Sequence, residues 1–269
     1  DVVSGELRND GKITLAVTGP MADALSNDHT NDNLVVRAAR LLQEEANTEL
    51  GADLILDKRL PVASGIGGGS ADAAAAIRLL YEMWNLDLDG DRLSAIALSL
   101  GADVPVCLHG KATLMSGIGE KLTELPDLPP LPIVLINPGK PVSTPAIFKA
   151  REEDGFSDEG LWNIHTRYES GAALAADLQE CGNDLTLAAT SILPDICDVL
   201  NAMAREEGCL LARMSGSGAT CFAIYDTATQ VEKAASAIAS QHENWWIVPT
   251  EIRCEQSQIL SNIGASFPD

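Results

Sequence analysis

Four of the five residues at positions 65–69 are glycines, and this run is the part of the sequence best suited to bind a ligand. Glycine has no Cβ atom and tolerates positive φ, so main-chain N–H groups in such a run can approach a ligand closely. Ser70 stands where an N-cap is expected, Asp72 falls in the predicted first turn, and alanines follow. A glycine-rich loop entering a helix N-terminus offers free N–H donors and the positive end of the helix dipole, which predicts phosphate binding.

Two well-known phosphate-binding motifs do not fit this run. A Walker loop requires a lysine before Ser70, and none is present. A Rossmann fingerprint requires a third glycine where Ser70 stands and a strand after the helix, whereas a second helical pattern follows here. A glycine-rich turn at a close contact between a helix and a strand is the purely structural alternative.

The bulk composition limits the classes of protein that the chain can represent. With 269 residues, of which 46% are hydrophobic, the chain can bury a large core and is expected to form two domains. No apolar run is long enough to span a membrane, and the first residues do not form a signal peptide. A net charge of −21 argues against binding to nucleic acid or to an anionic membrane. A nucleotide would therefore have to be held by short-range donors and metal ions.

The cysteines and histidines provide no strong catalytic pattern. The six cysteines show no CxxC spacing, which favours buried free thiols in a reducing cytoplasm over a metal site or a disulfide. The four histidines are scattered and mostly lie in polar segments, so none is assigned a catalytic role.

The first half of the chain is predicted to alternate strands and helices around the glycine run. Its predicted elements are a hairpin over 5–17 with its turn at 9–11, a helix from the cap Asp32 to Leu50, a strand ending at Lys58, and helices over 70–84 and 91–100. Asp103 precedes an apolar segment predicted to be a strand. Asp103 alone could be a turn former, and Lys58 could be a solvated charge at a strand end.

The second half is predicted to form another α/β layer. Strands are expected over 133–137, 209–214, 220–225 and 245–248, and helices over 172–181, 185–191, 194–207 and 229–241. Thr144 is predicted to cap a helix that has Pro145 at its first position. The polar segment 151–170 is predicted to be the domain junction. This order of strands and helices predicts a ferredoxin-like second domain, in which the loop 215–219 could be a plain hairpin bend.

The segment from Pro61 to Ala74 resembles the second motif of the GHMP kinases, which include galactokinase, homoserine kinase and mevalonate kinase. Five further segments resemble the branch of this family that phosphorylates 4-diphosphocytidyl-2-C-methyl-D-erythritol. They are DNLVVRAARLL (32–42), DKRLP (57–61), LGADVPV (100–106), NPGKPVSTPAIF (137–148) and MSGSGATCF (214–222). The resemblance spans nearly the whole chain and is weakest after about residue 224.

The resemblance implies an α+β fold with two domains, an N-terminal domain like domain 2 of ribosomal protein S5 over 1–142 and a ferredoxin-like C-terminal domain over 143–269. It implies ATP and Mg²⁺ as cofactors, a cytidine diphosphate methylerythritol as the small-molecule substrate, and a cytoplasmic enzyme of isoprenoid biosynthesis. Asp103 would be the catalytic residue, Thr144 would face the substrate, and Gly216, Ser217 and Gly218 would form a third motif packed beside the phosphate loop. The ATP-binding residues would be Lys58, as a wall of the adenine pocket, with Pro61, Val62, Ala63, Ser64, Gly65, Ile66, Gly67, Gly68, Gly69, Ser70 and Ala71.

Two departures from the family pattern affect these expectations. Ala71 replaces a serine, so one hydroxyl that could contact phosphate or metal is missing. Family members also begin with a ProAlaLysIleAsnLeu motif and an AspGlyTyrHis segment, which supply a catalytic lysine and part of the cytidine site, and neither occurs here. The N-terminal domain is therefore expected to be incomplete at its start. Another small-molecule kinase of the homoserine or mevalonate type, and a catalytically silent nucleotide-binding member, are the alternatives.

Overall fold

The computed structural model describes residues 1–26, 30–155, 157 and 168–252 of the chain. Their contacts separate them into two compact units, one formed by 1–62 and 67–125 and the other by 63–66 and 126–252. The boundary after Leu125 precedes both the predicted division after residue 142 and the predicted junction at 151–170, much of which lies outside the described residues. The reason is the strand Leu131–Asn137, which pairs with two later strands and so belongs to the second unit.

The sheet of the first unit has three strands, β1 (Val2–Arg8), β2 (Ile13–Thr18) and β3 (Gly51–Asp57), in the order β1-β3-β2. β3 is antiparallel to β1 and parallel to β2, so the predicted hairpin between β1 and β2 is wrong. Side-chain contacts add to this backbone pairing, because the Asp53 carboxylate accepts hydrogen bonds from Arg8 on β1 at 2.9 Å and from Thr14 on β2 at 2.6 Å.

Four α-helices lie within the described residues of the first unit: α1 (Leu34–Glu45), α2 (Gly68–Met83), α3 (Gly90–Leu100) and α4 (Val104–His109). The cap of α1 is Asn33, whose side chain accepts from the Val35 N–H at 2.9 Å, and not Asp32, and the helix ends before Leu50. The predicted strand after Asp103 is also wrong, since this segment is α4. Pro105 lies in the first turn of α4. An N–H group there would have no acceptor within the helix, so proline removes no helical hydrogen bond.

The core of the first unit lies between its helices and one face of β3. Val35, Leu42, Leu54, Leu56, Ile77 and Leu80 are all buried there. Trp84, at the end of α2, donates its indole N–H to the Gly51 carbonyl at 3.1 Å and so ties this helix to the start of β3. Beyond α4, β4 (Thr113–Ser116) and β5 (Lys121–Glu124) form an antiparallel hairpin.

The second unit contains β6 (Leu131–Asn137), β7 (Cys209–Met214), β8 (Cys221–Tyr225) and β9 (Trp246–Ile252). Their order is β7-β8-β6-β9 and every neighbouring pair is antiparallel, which confirms the ferredoxin-like arrangement. The helices that the structure describes in this unit are α5 (Thr144–Asp154), α6 (Gly171–Gln179), α7 (Thr186–Ile192), α8 (Asp195–Arg205) and α9 (Ala228–Ala239). No single helix in the described chain is long and apolar enough to cross a membrane, and the one pair that would qualify together, α7 with α8, is bent by 119°.

The five cysteines within the described ranges are free. Burial raises the pKa of Cys107 to about 11 and that of Cys221 to about 12, so both thiols stay protonated near neutral pH. Cys197 is exposed, so the expectation of buried thiols does not hold for it. Cys254 lies outside the described residues.

Candidate active site

The glycine run starts helix α2 two residues earlier than expected. Gly67 is the N-cap, with φ of +67°, and a Cβ atom added at Gly67 would meet nothing within 4 Å. The first turn is formed by Gly68, Gly69 and Ser70, so Ser70 is a helical residue and not the cap. Helical geometry leaves the N–H groups of this turn without helical acceptors, while Ala71 N–H already bonds the Gly67 carbonyl at 2.9 Å. The three free donors at the positive end of α2 suit an anionic group.

The start of the glycine loop is strained in a way that the sequence did not reveal. Ala63 has φ of +50°, a conformation that costs a residue with a Cβ atom roughly 1–2 kcal/mol. Ser64 is buried, and Gly65, at φ +75°, could not accept a side chain without a clash. Strain of this kind concentrates at functional sites, where the surrounding contacts hold it in place.

Lys58, the residue directly after β3, is one of the most buried charged side chains of the first unit, being 3% exposed. Its ammonium lies 2.6 Å from an Asp1 carboxylate oxygen and 3.1 Å from an Asp72 carboxylate oxygen. The interpretation of Lys58 as a solvated charge at a strand end is therefore wrong. Asp72 lies beyond the first turn of α2 and serves as a partner of Lys58, which its position in the sequence did not predict.

The Asp1 carboxylate extends this cluster to the entry of the glycine loop. It accepts hydrogen bonds from the main-chain N–H groups of Arg59 at 2.7 Å and Leu60 at 2.9 Å. A Cβ atom added at Gly68 would lie 3.5 Å from the Lys58 ammonium nitrogen, an ordinary contact distance. The cluster of Asp1, Lys58 and Asp72 thus lies directly beneath the first turn of α2 and holds the two sides of the loop.

Asp103 is the N-cap residue of α4, and it is exposed. Its side chain accepts no capping hydrogen bond, so the carboxylate is not engaged by the helix that it precedes. The backbone before it is closely confined, because a Cβ atom added at Gly119 would lie 2.5 Å from the Ala102 carbonyl oxygen. Gly119 belongs to the turn between β4 and β5, in which Glu120 accepts a hydrogen bond from Ile118 N–H at 2.6 Å. The Asp103 carboxylate is thus exposed and unengaged by α4, on a backbone that packs against the turn between β4 and β5.

His109, at the last position of α4, is buried, with its Nε2 3.0 Å from a Glu124 carboxylate oxygen. Burial lowers the pKa of His109 despite that carboxylate, and Lys111 lowers it further. Lys111 lies 2.8 Å from Glu124 and holds the pKa of Glu124 below its usual value. His109 therefore joins the end of α4 to the hairpin of β4 and β5, and it does not lie in a polar loop. His242 stacks on Trp245, with ring centroids 3.6 Å apart, whereas His29 and His165 lie outside the described residues.

In the second unit, the segment Ala63–Ile66 contacts the loop between β7 and β8. The Ser215 hydroxyl donates to the Gly65 carbonyl at 2.9 Å, and Thr220 N–H donates to the Ser64 carbonyl at 3.1 Å. Gly216 and Gly218 have the positive φ common in turns, +51° and +83°, and the bonds to Ser64 and Gly65 distinguish this loop from a plain hairpin bend. The Asn183 amide donates to the carbonyls of Met214 and Gly216 at 3.0 and 2.9 Å and fixes its start. Nothing in the spacing of the sequence indicated Asn183.

Thr144 is the first residue of α5, and the cap is Ser143, whose hydroxyl accepts from Ala146 N–H at 3.4 Å. The predicted cap is displaced by one residue because Ser143 has the extended backbone that a cap requires. The Thr144 hydroxyl is hydrogen-bonded to the buried Ser217 hydroxyl at 2.8 Å. The structure thus brings together Thr144 and the third predicted motif within the second unit.

Comparison with known proteins links this arrangement to one family. Residues 33–111 match the GHMP kinases N terminal domain and residues 164–244 match the GHMP kinases C terminal domain. The chain is 46% identical over 240 residues to the 4-diphosphocytidyl-2-C-methyl-D-erythritol kinase of Paramagnetospirillum magneticum, with 89% of this chain and 82% of the relative covered. It is 47% identical over 234 residues to the enzyme of the same name from Rhodospirillum rubrum, with coverage of 87% and 75%.

Two solved structures are also similar. A crystal structure of 4-(cytidine 5'-diphospho)-2C-methyl-D-erythritol kinase matches with a TM-score of 0.71 and 29% identity over 93% of this chain and 85% of that chain. Homoserine kinase from Cytophaga hutchinsonii matches with a TM-score of 0.69 but only 18% identity, over 94% and 86% of the two chains, which shows a common fold alone.

Proposed function

Because the chain belongs to the GHMP kinases, we propose that it transfers the γ-phosphoryl group of ATP to the 2-hydroxyl of 4-diphosphocytidyl-2-C-methyl-D-erythritol, in non-mevalonate isoprenoid biosynthesis. The observation that carries this proposal is the 46% identity over 240 residues to a kinase named for this substrate. The geometry of the glycine loop and of Asp103 supports phosphoryl transfer without selecting the alcohol.

The first step assigned to this chain is the binding of the triphosphate. The free N–H groups of Gly68, Gly69 and Ser70 donate to phosphate oxygens, and the α2 dipole favours their charge. Gly67 leaves open the space that the phosphates require. Lys58 is proposed as a wall of the adenine pocket, and its ion pairs with Asp1 and Asp72 hold its side chain in one position.

The second step is the attack of the substrate hydroxyl on the γ-phosphorus. The new O–P bond forms as the bond from the γ-phosphorus to the bridging oxygen breaks, and ADP carries away that electron pair. Asp103 accepts the proton of the hydroxyl, for which its exposed carboxylate is available. Thr144, held by Ser217, is proposed to face the substrate. Phosphoryl transfer depends mainly on positioning and charge stabilisation, which a fixed loop supplies without reorganisation.

Mg²⁺ would neutralise charge on the phosphates and polarise the transferring group when it is bound. No group of three or more His, Cys, Asp or Glu side chains within the described ranges is placed to hold a metal ion. Such a group is not needed, because Mg²⁺ in kinases keeps several waters and binds one or two carboxylates together with phosphate oxygens. The Ser70 hydroxyl, in the first turn of α2, is the side chain of this turn that would hold the ion.

A comparison of alcohols tests the proposed substrate. The protein is incubated with MgATP and, separately, with 4-diphosphocytidyl-2-C-methyl-D-erythritol, homoserine and mevalonate, and ADP and the phosphorylated product are measured by mass spectrometry. Stoichiometric ADP and a monophosphate of the cytidyl substrate are expected. Turnover of homoserine or mevalonate alone would reassign the substrate, and ATP binding without any product would favour a nucleotide-binding protein.

A further inference from the structure

Arg78 links the helix that carries the phosphate-binding turn to the helix that Asp103 precedes. It lies on α2, and its guanidinium Nη2 donates hydrogen bonds to the carbonyl oxygens of Cys107 and Leu108, the latter at 3.1 Å. Both carbonyls belong to the end of α4, where the last C=O groups have no helical partner and carry partial negative charge. The guanidinium therefore satisfies and fixes the C-terminal end of α4.

A short line of hydrogen bonds runs from Arg78 to Asp103. The N–H group of Cys107 donates to the Asp103 carbonyl at 3.1 Å, and the carbonyl of Cys107 accepts from Arg78. Only one turn of helix separates the two ends of this line. A shift of the Arg78 contact would therefore move the backbone of Asp103 directly.

Stability alone gives a poor reason for an arginine at this position. Ala74, one turn before Arg78 on the same face of α2, is buried. Among the residues that the structure describes, no carboxylate forms an ion pair with Arg78. Burial lowers the pKa of Arg78, which reflects the cost of holding this charge out of water. A well-packed apolar side chain in place of a buried charge is often neutral or stabilising.

We propose that Arg78 is a positioning residue, which fixes α4, and with it Asp103, against α2. This inference rests on the proposed function, because it assigns Arg78 a part in the same phosphoryl transfer. α2 contributes the phosphate-binding turn at one end and Arg78 further along, so one rigid helix sets the places of both the phosphates and the base. A displacement of about 1 Å can reduce turnover by up to about a hundredfold.

The test compares Arg78→Met, Arg78→Lys and a control. Methionine keeps much of the length and the apolar packing but removes the donors, whereas lysine keeps a charged donor that can reach one carbonyl. Arg92→Met is the matched control, since Arg92 lies on α3 and forms its ion pair with Glu45 at the surface. Thermal unfolding, kcat, and ATP affinity by calorimetry are measured for each variant.

We expect Arg78→Met to lower kcat by about ten- to a hundredfold, with ATP affinity changed by less than about twofold, since the phosphate-binding turn is untouched. Arg78→Lys should recover part of kcat, and Arg92→Met should match the wild type. An unchanged kcat in Arg78→Met would overturn the inference. Equal losses of kcat and of ATP affinity, accompanied by a fall in thermal stability, would also overturn it, because they would reveal a purely structural residue.

Hydrogen exchange supplies a readout that does not depend on activity. The Cys107 amide, bonded to the Asp103 carbonyl, should exchange faster in Arg78→Met, while the amides of α1 keep their wild-type rates. Equal exchange of the Cys107 amide in the two proteins would overturn the inference even if the proposed function holds. If the wild-type protein phosphorylates none of the three alcohols, the proposed function fails, and exchange alone decides whether Arg78 fixes α4.

Discussion

The hydroxyl of Ser215 donates a hydrogen bond to the carbonyl oxygen of Gly65 at 2.9 Å, across 150 positions of sequence. Beside it, Thr220 N–H donates to the Ser64 carbonyl at 3.1 Å. The first part of the glycine loop is thus held by the loop between β7 and β8, which the family resemblance had marked as a third motif. Both acceptors are main-chain carbonyls of the segment 63–66. The two bonds therefore hold the backbone of this segment in place.

Gly65→Ala should disrupt this contact. The added Cβ would lie 2.4 Å from the Ser215 carbonyl oxygen and 2.6 Å from that of Gly218, and φ of +75° disfavours any side chain. We expect ATP affinity, measured by calorimetry, to fall by about tenfold or more, or about 1.4 kcal/mol. Gly182→Ala is the control, since a Cβ there meets nothing within 4 Å, and it should bind ATP normally. Normal affinity in Gly65→Ala would show that the contact has no part in binding.

Lys58→Met should destabilise the protein strongly. The Asp1 and Asp72 side chains, 3% and 8% exposed, would lose their cation, and removing one partner of a buried ion pair costs about 3–5 kcal/mol. Urea unfolding measures this loss, and Lys58→Met combined with Asp72→Asn should recover part of it. Lys12→Met is the control, because Lys12 is 74% exposed and lies 3.9 Å from Asp10. A loss below about 1 kcal/mol, the value of a surface pair, would contradict the role of this cluster.

The buried His109 should make stability depend on pH. Its pKa is lowered in the folded protein. On acidification the unfolded chain therefore takes up the His109 proton near the ordinary pKa of about 6.5, at a higher pH than the folded protein does. The contribution of His109 to the free energy of unfolding is therefore fully present above about pH 6.5. It is lost as the pH falls toward the lowered pKa of the folded state. The pKa of Glu124 is also lowered, so a further loss follows on acidification below its ordinary value of 4.5.

Urea unfolding between pH 5 and pH 8 tests the histidine term. His109→Gln keeps a polar group beside Glu124 but does not titrate, so its unfolding free energy should fall less on acidification than that of the wild type. Curves that remain parallel across this range would show that His109 does not contribute to the pH dependence.

Local signals in the sequence were sufficient for much of the second unit. The prediction agrees with the structure within one or two residues for the strands at 209–214 and 220–225 and for the helices near Ala172 and Ala228. Hydrophobic periodicity and turn residues define these elements. The prediction failed where a tertiary contact decided the outcome. β3 separates β1 from β2 by pairing with both, and a hairpin turn in the sequence cannot reveal a third strand that pairs between its arms.

The candidate site shows the same limit. The glycine run predicted the free N–H groups of α2, but Ser70 was mistaken for the cap because Gly67 has no side chain to signal that position. The apolar residues after Asp103 fit a buried strand as well as a short buried helix, which periodicity cannot distinguish over six residues. The sequence marked Lys58 and Asp72 as residues of interest. Their ion pair across the loop could not be predicted, because it depends on the fold.

The rate of Asp103→Asn tests the central claim most directly. Asparagine keeps the size of the side chain but cannot accept the hydroxyl proton, so turnover of 4-diphosphocytidyl-2-C-methyl-D-erythritol with MgATP should fall about a hundredfold or more. ATP affinity by calorimetry should stay within about twofold, because the phosphate-binding turn is on another helix. A variant that phosphorylates this substrate at the wild-type rate would contradict the assignment of Asp103 as the base.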